Sequence, residues 1–253
     1  MRPLIRVLFS TLCLLLATTA FAKESALRVG LSPDYPPLAY KQDGKLTGIE
    51  VLAAKNLASQ LKRDVKFVEK TFDELVPALQ AGEIDIIMSG MTITPERANL
   101  VNFTKPYLDA GQMAIIRFAD AGKFAFKGAI FRPGAKVAIQ KNTATEKFAR
   151  QHLPNAVISE EESLEDCFAA LKQGKVDFMV HDAATSWMLS QDRDKQDLMS
   201  LNHAMTEEHL GWAVAKDNPA LLDAVNKQLD AMQKSGMMRA IINTWIPVTV
   251  EVK

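Results

Sequence analysis

One phrase occurs twice in this chain, 92 residues apart, and it constrains the fold more than any other feature. Thr71-Phe72-Asp73-Glu74 has the form of a capping box, in which the Thr oxygen and the Glu carboxylate satisfy free backbone N–H groups at a helix start. Leu75, Val76 and Leu79 give that helix an inward face, and Gly82 suits the left-handed position that stops it. Ile84-Asp85-Ile86-Ile87-Met88 then reads as a short buried strand ending at Ser89-Gly90. The second copy runs through Ser163-Leu164-Glu165-Asp166, Leu171, Gly174, Asp177 and Phe178-Met179-Val180, and ends at His181-Asp182. One such unit is common among α/β proteins. Two at a constant offset predict two lobes of related design.

Other segments keep the alternation. Leu27 to Leu31 and Val65 to Val68 read as strands, and Ile49 to Leu61 as a helix with Val51, Leu52, Leu57, Ala58 and Leu61 on one side. The pattern predicts an α/β fold with largely parallel sheets. Asn218 and Pro219 open a C-terminal helix whose stripe is Leu221, Leu222, Val225, Leu229 and Met232; Gly236 ends it and Met237 begins another. Ligands of parallel sheets bind beyond the carboxyl ends of the strands. Ser89-Gly90 and His181-Asp182 stand at such ends, one pair per lobe, and line a shared cleft if the lobes face each other.

The first residues set the compartment. Arg2 and Arg6 precede an apolar run, Val7 to Ala17, too short to span a bilayer comfortably, and Ala20-Phe21-Ala22 fits a signal-peptidase site. Residues 1–22 are therefore read as a secretory signal cleaved after Ala22, leaving 231 of the 253 residues in a soluble, periplasmic product. Losing Arg2 and Arg6 from 30 basic residues leaves 28 against 30 acidic ones, a net charge of −2 that points to neither nucleic acid nor an anionic membrane. Cys13 departs with the signal, so Cys167 has no partner for an internal disulfide and reads as a buried thiol in an apolar helix.

Most catalytic chemistry finds no motif here. His152, His181, His203 and His209 lack metal-ligand spacing, and no Walker loop, G-x-G-x-x-G or G-x-S-x-G occurs, so neither metal nor cofactor is expected. Three polar segments stand out instead. Asp34-Tyr35-Pro36-Pro37 follows the first strand, with Tyr35 offering an aromatic face. Ser89 to Arg97 combines Gly90, which permits close backbone approach, Thr92, and Arg97, whose planar fork suits a carboxylate. Asn142-Thr143-Ala144-Thr145-Glu146 precedes a helix, Lys147 to His152, whose free N–H groups attract anions. Taken singly, each has an ordinary reading as a proline turn, a surface ion pair or a helix cap.

Together they carry a resemblance. Leu27-Arg28-Val29-Gly30, Asp34-Tyr35-Pro36-Pro37, Gly44-Lys45-Leu46-Thr47-Gly48, Leu75-Val76-Pro77-Ala78-Leu79 with Gly82, Ser89 to Arg97, Phe103-Thr104-Lys105-Pro106-Tyr107 and Gly174-Lys175-Val176-Asp177 run through nearly the whole chain. In that order they resemble the polar-amino-acid-binding proteins of bacterial ABC importers. The resemblance implies a type II periplasmic-binding fold with two crossings, near Asp109 to Gln112 and Thr206 to Leu210. The lobes would comprise residues 23–110 with 208–253, and residues 111–207. It also implies a monomer that delivers its ligand to an inner-membrane permease.

Carried over by position, Arg97 would grip the ligand carboxylate, helped by the Thr92 and Thr143 backbone N–H groups. Asp182 would accept the ammonium, with Ser89 and Gly90 beside it, and Tyr35 and Phe72 would sandwich the side chain. The chain departs from the family at Ser32, where an acid that can hold a cationic side chain is frequent; its absence argues against a lysine or arginine ligand, although Asp34 is close. It also departs at Leu38, at Asn142-Thr143-Ala144, and at Glu50, which stands where Asp is usual and is read as structural. Periplasmic cyclohexadienyl dehydratases resemble the same fold and share a stretch like Glu146-Lys147-Phe148-Ala149-Arg150. They use a glutamate three positions after the cleft aspartate; Thr185 stands there, and a threonine is no general acid at neutral pH. A binding protein rather than an enzyme is therefore expected, with the dehydratase and a ligand-sensing module as alternatives.

Overall fold

In the computed structural model, residues 25–188, 197–201 and 204–246 are described. The signal expected at residues 1–22 and its cleavage point lie outside them. Two five-stranded sheets organise the chain. The first orders its strands Val65–Glu69, Leu27–Leu31, Ile86–Ile87, Ala213–Val214, Asn102–Phe103. The second runs Val157–Glu161, Lys136–Gln140, Phe178–Asp182, Gln112–Arg117, Leu198–Ser200. In both, the first three strands are parallel and the fourth runs antiparallel to its two neighbours.

The repeated phrase supplies the third strand of each sheet, and its details repeat as well. Gly82 and Gly174 both take φ +69°, the left-handed stop that a side chain would strain. The Asp85 carboxylate accepts the Arg28 N–H at 2.8 Å, and the Asp177 carboxylate accepts the Lys136 N–H at 2.9 Å. Each aspartate returns its own N–H to the carbonyl of the same residue at 2.8 Å. The pair of bonds fastens the incoming strand to its neighbour before the ladder begins. The capping box at Thr71 is complete, whereas Asp166, one carbon shorter than Glu74, takes the Ser163 hydroxyl instead of its backbone N–H.

Some expectations shift in detail. The ladder of the first copy is confined to Ile86–Ile87, and its helix opens with a 3₁₀ turn, Phe72–Glu74, before the α-helix Leu75–Gln80. Ala78, not Val76, completes that helix's buried face. Leu52, on the helix Ile49–Gln60, is 40% exposed because it lies off the Ile49-Ala53-Leu57 stripe. The helix after Thr143 starts earlier than expected, at Ala144–His152.

Both sheets are covered on both faces, which explains their continuous apolar strands. In the second sheet, Val137, Ile139, Phe178 and Val180 face one core while Ala138 and Met179 face the other, as a period of two requires. Cys167 is fully buried in that second core, and burial pushes its thiol up to about 12. The helices Pro219–Lys234 and Met237–Asn243 return to the first sheet, where Val225, Leu229 and Ile241 pack beside Trp212. Between the sheets, Leu108–Ala110 and Glu208–Leu210 pair antiparallel, with Glu208 opposite Ala110. The chain passes from one sheet to the other at this two-stranded ribbon.

Candidate functional site

The carboxyl ends of the parallel strands from both sheets converge on a cleft of about 430 Å³, counted to its open mouth. That is the size of a small-molecule site. The first lobe lines it with Ser32, Asp34, Tyr35, Phe72, Gly90, Thr92 and Arg97; the second with Gln112, Gln140, Thr143, Ala144, Thr145, His181 and Asp182. Seven of the eight residues expected from the sequence therefore meet in one place. The eighth, Ser89, lies behind the lining, where its buried hydroxyl oxygen accepts the Ser32 N–H at 2.9 Å.

Thr92 forms an antiparallel bridge with Leu210. Ile93 N–H and Met91 C=O carry its flanking bonds, to His209 and Gly211, so the Thr92 amide and carbonyl face away from Leu210. The Thr92 carbonyl accepts Arg97 Nη1 at 3.1 Å, and Arg97 Nη2 donates across the cleft to the Asn142 carbonyl at 3.2 Å. The guanidinium carbon stands 5.2 Å from the Phe72 ring centroid, a cation–π distance. Burial lowers the Arg97 pKa to about 10, so the group stays cationic at neutral pH while poorly solvated.

Opposite, Thr143 caps the helix Ala144–His152. Its hydroxyl accepts the Glu146 N–H and donates to the Gln140 carbonyl at 2.7 Å, so its one hydrogen is committed. Glu146 reaches back to the Asn142 N–H at 2.8 Å and not to that of the cap residue. The Thr143 and Ala144 amides thus remain at the positive end of a helix lining the cleft.

Asp182 has two jobs. Its Oδ1 accepts the Thr185 N–H at 3.2 Å, capping the following helix, while the residue still lines the cleft. Burial pushes its pKa up to about 7, and the nearby Glu208 charge adds to that rise. His181, equally buried, is pushed down to about 3 and is neutral; its Nδ1 lies 2.9 Å from the Thr185 hydroxyl. Thr185 is buried behind these two and does not line the cleft.

Gly90 lines the cleft, and its lack of a side chain has a second use. Its N–H donates to buried Glu50 at 2.6 Å, and a Cβ there would stand 2.4 Å from Tyr35 Cε1. Its bareness makes room for the Tyr35 ring. Glu50 also accepts the Tyr107 hydroxyl at 2.6 Å, so it ties the cleft loop to the start of the first crossing. Gln112 and Gln140 carry no sequence signal; His181 was expected at the cleft as the partner of Asp182 at the repeated strand's end, and Thr145 stands within the polar segment that opens the helix Ala144–His152. Among the described residues no cluster of three or more His, Cys, Asp or Glu side chains suits a metal ion.

Two sheets of one plan, joined by a paired double crossing and closed on a polar cleft, define the class of two-lobe solute-binding folds. Residues 27–248 match the family of bacterial extracellular solute-binding proteins, family 3, and the chain belongs to that family. It is 29% identical over 246 residues to ABC transporter arginine-binding protein 1 of Escherichia coli, covering 93% of this chain and 98% of that one. Among solved structures, it is similar to the ancestral amino acid-binding protein AncCDT-1, described as a precursor of cyclohexadienyl dehydratase. That match has 37% identity, TM-score 0.81, and covers 87% of this chain and 95% of the other. It is also similar to an ancestral arginine-binding protein bound to arginine, with 32% identity, TM-score 0.80 and coverages of 88% and 99%.

Proposed function

We propose that this chain captures an α-amino acid with a positively charged side chain and delivers it, from the periplasm, to an ABC importer in the inner membrane. The observation that carries the reading is the opposition of Arg97 and the Thr92 and Thr143 amides to the buried carboxyl of Asp182. One anion pocket and one facing carboxylate fit the two ends of an amino acid. Arg97 and the amides take the carboxylate; Asp182 takes the ammonium.

Charge balance supports a cationic side chain. Asp34 and Asp182 line the cleft against Arg97 alone, and Glu208 stands just behind. Asp34, exposed at the mouth and accepting the Ser32 hydroxyl at 2.6 Å, supplies the acid that the sequence lacks at position 32. The relatives named for arginine agree with this reading. Closure would remove these charges from water and strengthen each contact.

The lobes are taken as residues 23–110 with 208–253, and 111–207, acting as a monomer after cleavage behind Ala22. A dehydratase is disfavoured because Thr185, where the acid would stand, is buried outside the cleft. Thermal-shift and calorimetric titration of the chain from Lys23 against arginine, lysine, glutamine and glutamate tests the reading. Arginine or lysine should bind tightest. Preference for glutamate, or turnover of prephenate with no amino acid bound, would overturn it.

A further inference from the structure

The polar groups that line the cleft from the two lobes are joined by one unbroken run of hydrogen bonds, and its middle member lies in the crossing ribbon. Arg97 donates to the Thr92 carbonyl at 3.1 Å. The Thr92 hydroxyl donates to Glu208 Oε2 at 3.3 Å, and Gln112 Nε2 donates to the same oxygen at 3.1 Å. The Gln112 side-chain carbonyl accepts the Thr145 hydroxyl at 2.6 Å, inside the first turn of the helix that Thr143 caps. Glu208 Oε1 accepts the Thr206 hydroxyl at 2.9 Å, whose oxygen in turn accepts the Gln112 backbone N–H at 2.8 Å.

We infer that Glu208 is a positioning residue: it aligns the anion-binding groups of both lobes through Thr92 and Gln112, and so holds the closed cleft. Glu208 itself is not part of the lining. Its two carboxylate oxygens accept three donors from both sides of the ribbon, which no neutral residue of that length matches. Gln112 is buried, and its amide is oriented at both ends, with N toward Glu208 and O toward Thr145. Removing the acceptor at position 208 leaves the buried Thr92 and Gln112 donors unpaired in this arrangement of the lobes, where water cannot replace them, whereas opening would expose them to water. The closed form is therefore the state that loses, and the ligand leaves faster. This rests on the amino-acid reading for the identity of the ligand, not for the clasp.

The test uses the chain from Lys23, L-arginine as probe and two variants. Glu208→Gln should leave the melting temperature within a few degrees and the association rate near wild type, while L-arginine dissociates at least tenfold faster. Without ligand, its radius of gyration by small-angle X-ray scattering should exceed the wild type's. Wild-type scattering and dissociation in Glu208→Gln would overturn the clasp, as would faster dissociation with no change in scattering. If Glu208→Gln does not fold, Glu208→Asp, which keeps the charge and withdraws the reach, is read by the same measures. A wild type that ignores L-arginine overturns the ligand reading instead, and the scattering comparison then decides the clasp alone.

Discussion

The Tyr35 ring of the first lobe meets the His181 ring of the second edge-on, with centroids 5.1 Å apart and planes at 74°. The contact crosses the cleft, so it exists only while the lobes are together. Because burial keeps His181 neutral, closure at this point carries no charge. Tyr35→Ala should lower ligand affinity about tenfold, from a lost ring pair of about 0.5–1.5 kcal/mol and some apolar area. Gly90→Ala should do at least as much, since its Cβ would collide with Tyr35 Cε1 and Leu38 Cδ1 at a φ of +61°. Calorimetry beside thermal melts separates the two variants: Tyr35→Ala should keep its melting temperature, and Gly90→Ala should not. Equal affinities for Tyr35→Ala and wild type would remove the ring from the site.

Arg97→Lys should weaken ligand binding by about 1.5–3 kcal/mol, the scale of a hydrogen bond to a charged group, while folding persists. A lysine keeps the charge but cannot reach the Thr92 and Asn142 carbonyls together while presenting a planar edge to a carboxylate. Unchanged affinity by calorimetry would exclude Arg97 as the carboxylate grip.

Asp182 makes binding depend on pH in a stated direction. Its folded pKa, about 7, exceeds the ordinary 3.8, so below pH 7 the empty protein holds a proton that an arriving ammonium must displace. Affinity should therefore fall by up to about tenfold for each pH unit below 7, and binding at pH 6 should release close to one proton. Asp182→Asn should abolish both effects. It should also weaken the amino acid much more than its deaminated analogue. Equal losses for the two ligands would leave Asp182 only its capping bond to Thr185.

Glu50 is fully buried, and burial lifts its pKa from 4.5 to about 7 despite the Tyr107 and Gly90 donors. Between those values the folded chain keeps a proton that the unfolded chain has lost. Stability from this group is thus greatest below pH 4.5 and falls as pH rises to 7, by up to about 1.4 kcal/mol per unit. Glu50→Gln, which keeps an acceptor for Gly90 and a partner for Tyr107, should flatten that slope in urea unfolding at pH 5 and pH 8. Adding Asp182→Asn should flatten it further. Glu50→Ala leaves two buried donors unpaired and should cost about 2–4 kcal/mol. A slope untouched by Glu50→Gln would mean that the buried carboxyl is ionised throughout.

The repeated phrase was legible because everything that forms it is local. A cap binds an N–H three residues on, a glycine stops a helix where it stands, and a strand alternates at period two, so Thr71, Gly82, Ser163 and Gly174 declare their roles within a few positions. That was enough to predict two related lobes and to place Asp182 and Gly90 at matching strand ends. The polar segments themselves marked Tyr35, Thr92, Arg97 and Thr143; the resemblance gave each a role and added Phe72. What the tertiary structure decided lies in contacts between distant positions. Glu50 and Tyr107 are 57 residues apart, and Glu208 lies 96 from Gln112 and 116 from Thr92. No local rule marks a surface-type glutamate in a crossing strand as the joint between two halves of a site. The reason is physical: a buried polar group must find its partner wherever the packed chain brings one within about 3 Å, and sequence distance does not enter that requirement. The same holds for Gly90, whose empty side shelters Tyr35, and for Asp182, whose capping bond and cleft exposure coexist only because its strand ends where the second lobe meets the first.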